Sequence, residues 1–69
     1  MINLKFKKII RGEYTSSYKG YDVEISKNYE SRTWSMEIRK PNGGILISDI
    51  VGTYSDAKAF AEDEIFNNL

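Results

Sequence analysis

The stretch Pro41-Asn42-Gly43-Gly44 constrains the fold of this chain most. Asn-Gly supplies the positive backbone φ angles that a tight hairpin turn needs, and a proline stops the strand before it. On the N-terminal side, Trp34, Met36 and Ile38 alternate with Ser35, Glu37 and Arg39, the period of a half-buried strand. On the other side, Ile45 to Val51 is apolar almost throughout, so the sequence predicts a strand without fixing its buried face. Gly52 ends that strand. Ser55 then reads as the N-cap of a helix running from Asp56 to about Asn67, with Asp56 at the positive end of its dipole. Lys58 stands where a Glu or Gln would complete a capping box. The apolar arc of this helix is Ala57, Phe60, Ala61, Ile65 and Leu69, bordered by Glu64 and Asn68, while Phe66 points away with Ala59 and Glu62. Thr33 to Leu69 is therefore strand, turn, strand, helix.

The residues before it read as further strand. Tyr21, Val23 and Ile25 alternate with Asp22, Glu24 and Ser26, and Lys27 to Arg32 forms a polar turn. Ile2, Leu4 and Phe6 alternate with Asn3, Lys5 and Lys7, until Lys8 breaks the period. Either the strand ends there, or a bulge at Lys7/Lys8 returns Ile9 to the core face. A helix over residues 2–11 is the competing reading, but it would set Lys5 and Lys8 among its apolar residues. Gly12 to Gly20 gathers Ser, Thr and Gly and reads as a long hairpin connection whose ends extend the flanking strands.

Sixty-nine residues hold one domain. With no Cys and no His, disulfides, thiolate metal sites and the usual general base are excluded, so stability rests on the core or on the core and a partner surface. Ten basic residues balance ten acidic ones, unlike the basic excess of a bulk nucleic-acid binder. The charge is segregated, however. Residues 1–40 carry nine basic against five acidic residues, and residues 41–69 carry Lys58 against five acidic ones, so the two parts stand at +4 and −4. No apolar run approaches the roughly 18 residues of a membrane span, and the start, with basic residues inside its apolar stretch and no cleavage site, is unlike a signal peptide. The expected location is the cytoplasm.

No phosphate-binding loop, dinucleotide fingerprint, nucleophile elbow or metal-spaced cluster is present, so no catalytic, cofactor or metal residue is assigned. Glu62-Asp63-Glu64 and Asp56 read as a solvated face, because adjacent helical residues diverge by about 100°. Glu37 and Asp49 are the remaining carboxylates that could flank a site across strands. Tyr14, Tyr18 and Tyr29 lie in polar segments, with Arg32 nearby, and either serve as partner-binding anchors or fold down over a small core. Phe66, an aromatic ring on the outer helix face, suggests a dimer or partner contact against simple fraying. Lys5, Lys7, Lys8 and Arg11, with Lys19, form a basic stripe that reads as a phosphate-binding surface or as the charged edge of a sheet; Arg39 joins them if the outer sheet face binds nucleic acid.

Residues 21–69, through Y-D-V-E-I, W-S-M-E-I-R, I-L-I-S-D-I-V-G-T-Y and S-D-A-K-A-F-A-E-D-E-I-F-N-N-L, resemble the later part of a double-stranded-RNA-binding domain, with Ala57 and Ala61 matching its small helix residues in kind. The resemblance implies a sheet-plus-helix architecture. It implies no RNA contacts, since that family's first helix has no counterpart and its basic run is here Ser55-Asp56-Ala57-Lys58. The chain also looks like the small stand-alone proteins of phages and mobile elements, which implies binding to and blocking of a host protein.

The expectation is an α+β fold: an antiparallel meander of three or four strands with a C-terminal helix across one face. The expected function is a non-enzymatic protein-binding module with a protein partner, self-associating through Phe66 or an edge strand. The alternative is nucleic-acid binding by the outer sheet face.

Overall fold

A computed structural model of the chain describes residues 2–69. Five strands form one antiparallel meander in chain order: β1 (Lys7–Ile10), β2 (Glu13–Tyr18), β3 (Tyr21–Asn28), β4 (Thr33–Arg39) and β5 (Ile45–Val51), followed by the helix α1 (Tyr54–Asn67). The α+β class and the C-terminal helix are as expected. The strand number is five rather than three or four, because Glu13–Tyr18 is a full strand and not a loop. Its Tyr and Thr residues suit a pleated, half-buried surface. Tyr14, Ser16 and Tyr18 face inward opposite Ile25, Val23 and Tyr21.

The turns explain the register. Lys19 (φ 49°) and Gly20 (φ 87°) form the two-residue loop between Tyr18 and Tyr21, with both central residues left-handed as a type I′ turn requires. At the β4–β5 turn the Gly43 amide donates to the Lys40 carbonyl (2.9 Å) and the Lys40 amide to the Gly44 carbonyl (2.7 Å). Only Gly43 takes the positive φ there (93°). Asn42 contributes differently, its Oδ1 accepting from the Gly44 amide (2.9 Å).

One sheet face is the core. Val23, Ile25, Met36 and Ile38 are buried across the central strands, against Ala57, Ala61 and Ile65 of α1. The helix lies over β3, β4 and β5. The two alanines, one turn apart, bring its backbone close to the sheet. The ambiguity of β5 is resolved by its pairing: Ile47 and Val51 sit opposite Ile38 and Trp34 on the helix side, with Leu46 as the extra residue of a bulge. Ser48 and Ile50 face outward, opposite Glu37 and Ser35.

The first residues depart from expectation. Residues 2–6 form no strand; they run over the β1–β2 half of the sheet, beside the helix. Leu4 is buried, while Ile2 and Phe6 pack half-buried against the core. The Leu4 amide donates to Glu62 Oε2 (2.8 Å), and the Ser16 hydroxyl donates to the Lys5 carbonyl (2.8 Å). The alternation of Ile2, Leu4 and Phe6 was a true sign of one-sided burial, but extended backbone with that period need not join a ladder. The bulge in β1 falls at Ile9, between the pairs Lys8–Tyr14 and Ile10–Glu13, and leaves Ile9 exposed rather than returning it to the core.

The helix begins two residues earlier than the sequence suggested. Thr53, with extended backbone (φ −137°, ψ 160°), is the N-cap, and its Oγ1 accepts from the Asp56 amide (3.0 Å). Ser55 lies inside the first turn. Starting at Tyr54 places that ring over the core, which is why the cap shifts.

Candidate functional site

The residues singled out from the sequence fall into four places. The first is an aromatic cluster at the N-terminal end of the helix. Tyr54 packs 4.7 Å from Tyr14, 5.6 Å from Trp34 and 5.9 Å from Phe6 between ring centroids, in tilted or edge-on arrangements worth roughly 0.5–1.5 kcal/mol per pair beyond their buried area. Tyr14 is thus a core residue, and Tyr18 also packs half-buried against the core, with the Lys19 ammonium 5.9 Å from its ring. Both rings fold down over the core and keep part of their surface exposed.

Desolvation raises the Tyr54 hydroxyl above the usual tyrosine range, with the neighbouring Tyr14 adding to it. A raised acid pKa means the folded state holds its proton more tightly than the unfolded chain. This contribution is therefore complete below the unfolded value of about 10 and is lost as pH rises through the folded one. Tyr54→Phe should accordingly show a shallower loss of stability above that pH than the wild type, measured by urea unfolding across the alkaline range. Equal slopes would show that Tyr54 titrates alike in both states.

The second place is the turn end below this cluster. Tyr29 is about half exposed, and its ring lies over Gly12. Arg11 sits 5.9 Å and Lys27 5.2 Å from the ring, and Lys27 also reaches the Trp34 ring at 5.7 Å. Such contacts contribute about 0.5–1 kcal/mol at exposed positions. Arg32 stands in the adjoining turn, exposed and left-handed (φ 57°). Asn28 Oδ1 holds that turn by accepting from the amides of Glu30 (3.0 Å) and Ser31 (3.3 Å).

The third is the outer sheet face. Lys5, Lys7 and Arg39 line a shallow depression of ≈ 530 Å³, together with Asp22, Glu24 and Glu37. Arg39 is paired with Glu37 at 3.0 Å and lies directly opposite Asp22. Bases and acids alternate there. Lys8 lies opposite Tyr14, on the other face, Arg11 is drawn to Tyr29, and Lys19 belongs to the far turn. The structure therefore distributes the five N-terminal cations over several surfaces and does not gather them into a stripe. Glu37 and Asp49 lie on opposite faces, since Glu37 pairs with Ser48 and Met36 with Asp49. Glu62 is engaged with Leu4 and with Lys58 (3.3 Å), and among the described residues no group of carboxylates is placed to hold a metal ion.

The fourth group is apolar and exposed, on separate surfaces: Phe66 and Leu69 at the end of α1, Ile45 and Ile50 on the outer side of β5, and Ile9 and Ile10 on β1. Sequence reasoning found Phe66 but passed over the isoleucines. A signal for them was available. In a meander whose last strand runs straight into a helix, that strand is an edge, and an all-apolar edge strand cannot bury both faces.

Compared with protein-family models, curated proteins and solved structures, the chain has no significant match. Its function is therefore argued from its own surfaces.

Proposed function

We propose that this chain is a non-enzymatic protein-binding module of the cytoplasm that acts by occupying a partner's surface, in the manner of a phage-type inhibitor or regulator. The observation that carries this reading is the exposure of Ile45, Ile50, Phe66 and Leu69, between 48% and 66%, beside that of Ile9 and Ile10 on the other edge strand, on a chain whose central strands are polar on their outer face. Exposed apolar side chains on an edge strand and at a helix end are the kind of feature that marks interaction surfaces. The absence of His and Cys from the sequence, and the engagement of Glu37 and Glu62 in structural contacts, support a non-catalytic role.

Affinity capture from host lysate with wild-type protein and with Phe66→Ala and Ile50→Lys variants tests the reading. A partner retained by the wild type and lost by either variant is the expected result. A strictly monomeric chain in sedimentation that retains no partner would overturn it. Homodimerisation through Phe66 appears in the same sedimentation run.

One observation favours nucleic-acid binding as a second reading: Lys5, Lys7 and Arg39 share one concave surface. The interleaved Asp22, Glu24 and Glu37 weigh against it. A salt-sensitive mobility shift of RNA or DNA supports this reading, and no binding at low salt, where phosphate contacts are strongest, removes it.

A further inference from the structure

The two edges of the sheet are built differently. β1 exposes Ile9 and Ile10 much as β5 exposes its isoleucines, but it has only four residues, carries Lys7 and Lys8, and is bulged at Ile9. Short length, lysine and a bulge are the devices by which proteins close an edge to further strands. β5 has seven residues, with no Lys, Arg or Pro, and exposes Ile45 and Ile50 on its outer side. Its single charge is Asp49, exposed on the helix side.

The border of this open edge is acidic. Lys58 and Glu62 face the N-terminal segment, through Asn3 and Leu4. At 100° per residue, Phe60 and Glu64 lie on the opposite flank of α1, towards β5, with Asp56 and Asp63 next round on its solvent side. Asp49 and Glu64 are thus the carboxylates of this margin, with Asp56 and Asp63 adding negative charge beside it, and none of the four is in an ion pair among the described residues. A second β5, laid antiparallel on the first, would bring one Asp49 beside another and acidic helix beside acidic helix, which is unfavourable.

We propose that the β5 edge is the docking site of the protein-binding module, and that its occupant is an extended basic segment of a partner protein, added as a sixth strand. Main-chain hydrogen bonds along Ile45–Val51 supply affinity, as in other strand additions. The alternation of the incoming strand is set by the two faces it joins. Apolar side chains meet Ile45 and Ile50 on the outer face, and Lys or Arg side chains meet Asp49 and the helix margin on the inner one. This assignment rests on the protein-binding reading and specifies where and what it binds.

The test uses isotope-labelled full-length protein and a synthetic peptide of about eight residues alternating valine with lysine, beside its valine–glutamate counterpart. The expected result is amide shift changes confined to Ile45–Val51 with the lysine peptide, weaker by about tenfold or more in Asp49→Lys and at raised salt. Asp49 is exposed, so the variant keeps its fold, which its own amide spectrum verifies. The proposal is overturned by equal response to both peptides, by no response at β5, or by concentration-dependent shifts of β1 and β5 without peptide, which would make a second copy the occupant. Shifts at Phe66 or Tyr29 instead would also overturn it, while leaving the protein-binding reading in place.

Discussion

A Leu4→Ala variant loses about 2–5 kcal/mol of unfolding free energy, the range for emptying a buried leucine site. Leu4 is 2% exposed, though it belongs to no strand or helix. Its side chain joins the core over the part of the sheet that α1 leaves bare, and its amide is held by Glu62. A domain this small draws about 3–5 kcal/mol from a single core, so the variant should be partly unfolded at room temperature. Chemical denaturation with near-ultraviolet dichroism of the Phe6–Tyr14–Trp34–Tyr54 cluster reads both quantities. A loss below about 1 kcal/mol, the level of an ordinary surface substitution, would show that residues 2–6 lie on the sheet without holding it together.

Gly12→Ala carries the second large effect. Gly12 is buried at φ 82°, and a methyl group built there would stand 2.5 Å from the Tyr29 hydroxyl. A left-handed non-glycine residue costs about 1–2 kcal/mol by itself, and the ring must leave its place over the turn, losing its contacts with Arg11 and Lys27. The Gly12 carbonyl also accepts from the Lys27 amide (2.8 Å), so strain in this turn reaches β3 directly. The double variant Gly12→Ala/Tyr29→Ala separates the causes. Recovery of part of the lost stability assigns that part to the clash; no recovery assigns all of it to the backbone. A melting temperature for Gly12→Ala equal to wild type would refute both.

Where the sequence was legible, the period of the side chains and the chemistry of the turns agreed. Val23, Ile25, Met36 and Ile38 alternate and are buried. Asn42-Gly43 bends the chain where expected. Two kinds of feature were hidden. The β2 strand is written in Ser, Thr and Tyr, residues that serve loops and strands equally well, and only pairing with Val23 and Ile25 decides between them. The cap at Thr53 competed with an equally suitable Ser55, and the choice was made by the need to bury Tyr54, a tertiary effect with no local signature. The surface was harder still. Tyr14 and Tyr29 look alike along the chain, yet one packs against the core and the other covers a glycine, because β2 and the β3–β4 turn meet different neighbours.

The hydrogen bond between Leu4 and Glu62 joins residues 58 positions apart. Every pairing within the sheet is between neighbours in the chain and asks for only a short loop to close. Local contacts of this kind form fast, and distant ones wait for the loop-closure entropy to be met. The segment that precedes the meander in the chain is therefore the last to be placed: the meander can assemble during synthesis, but Leu4 finds its seat only when Glu62 has been made and wound into helix. Until then the β1–β2 half of the inner face stays open, and the nascent protein is exposed to association at a surface that the finished molecule conceals.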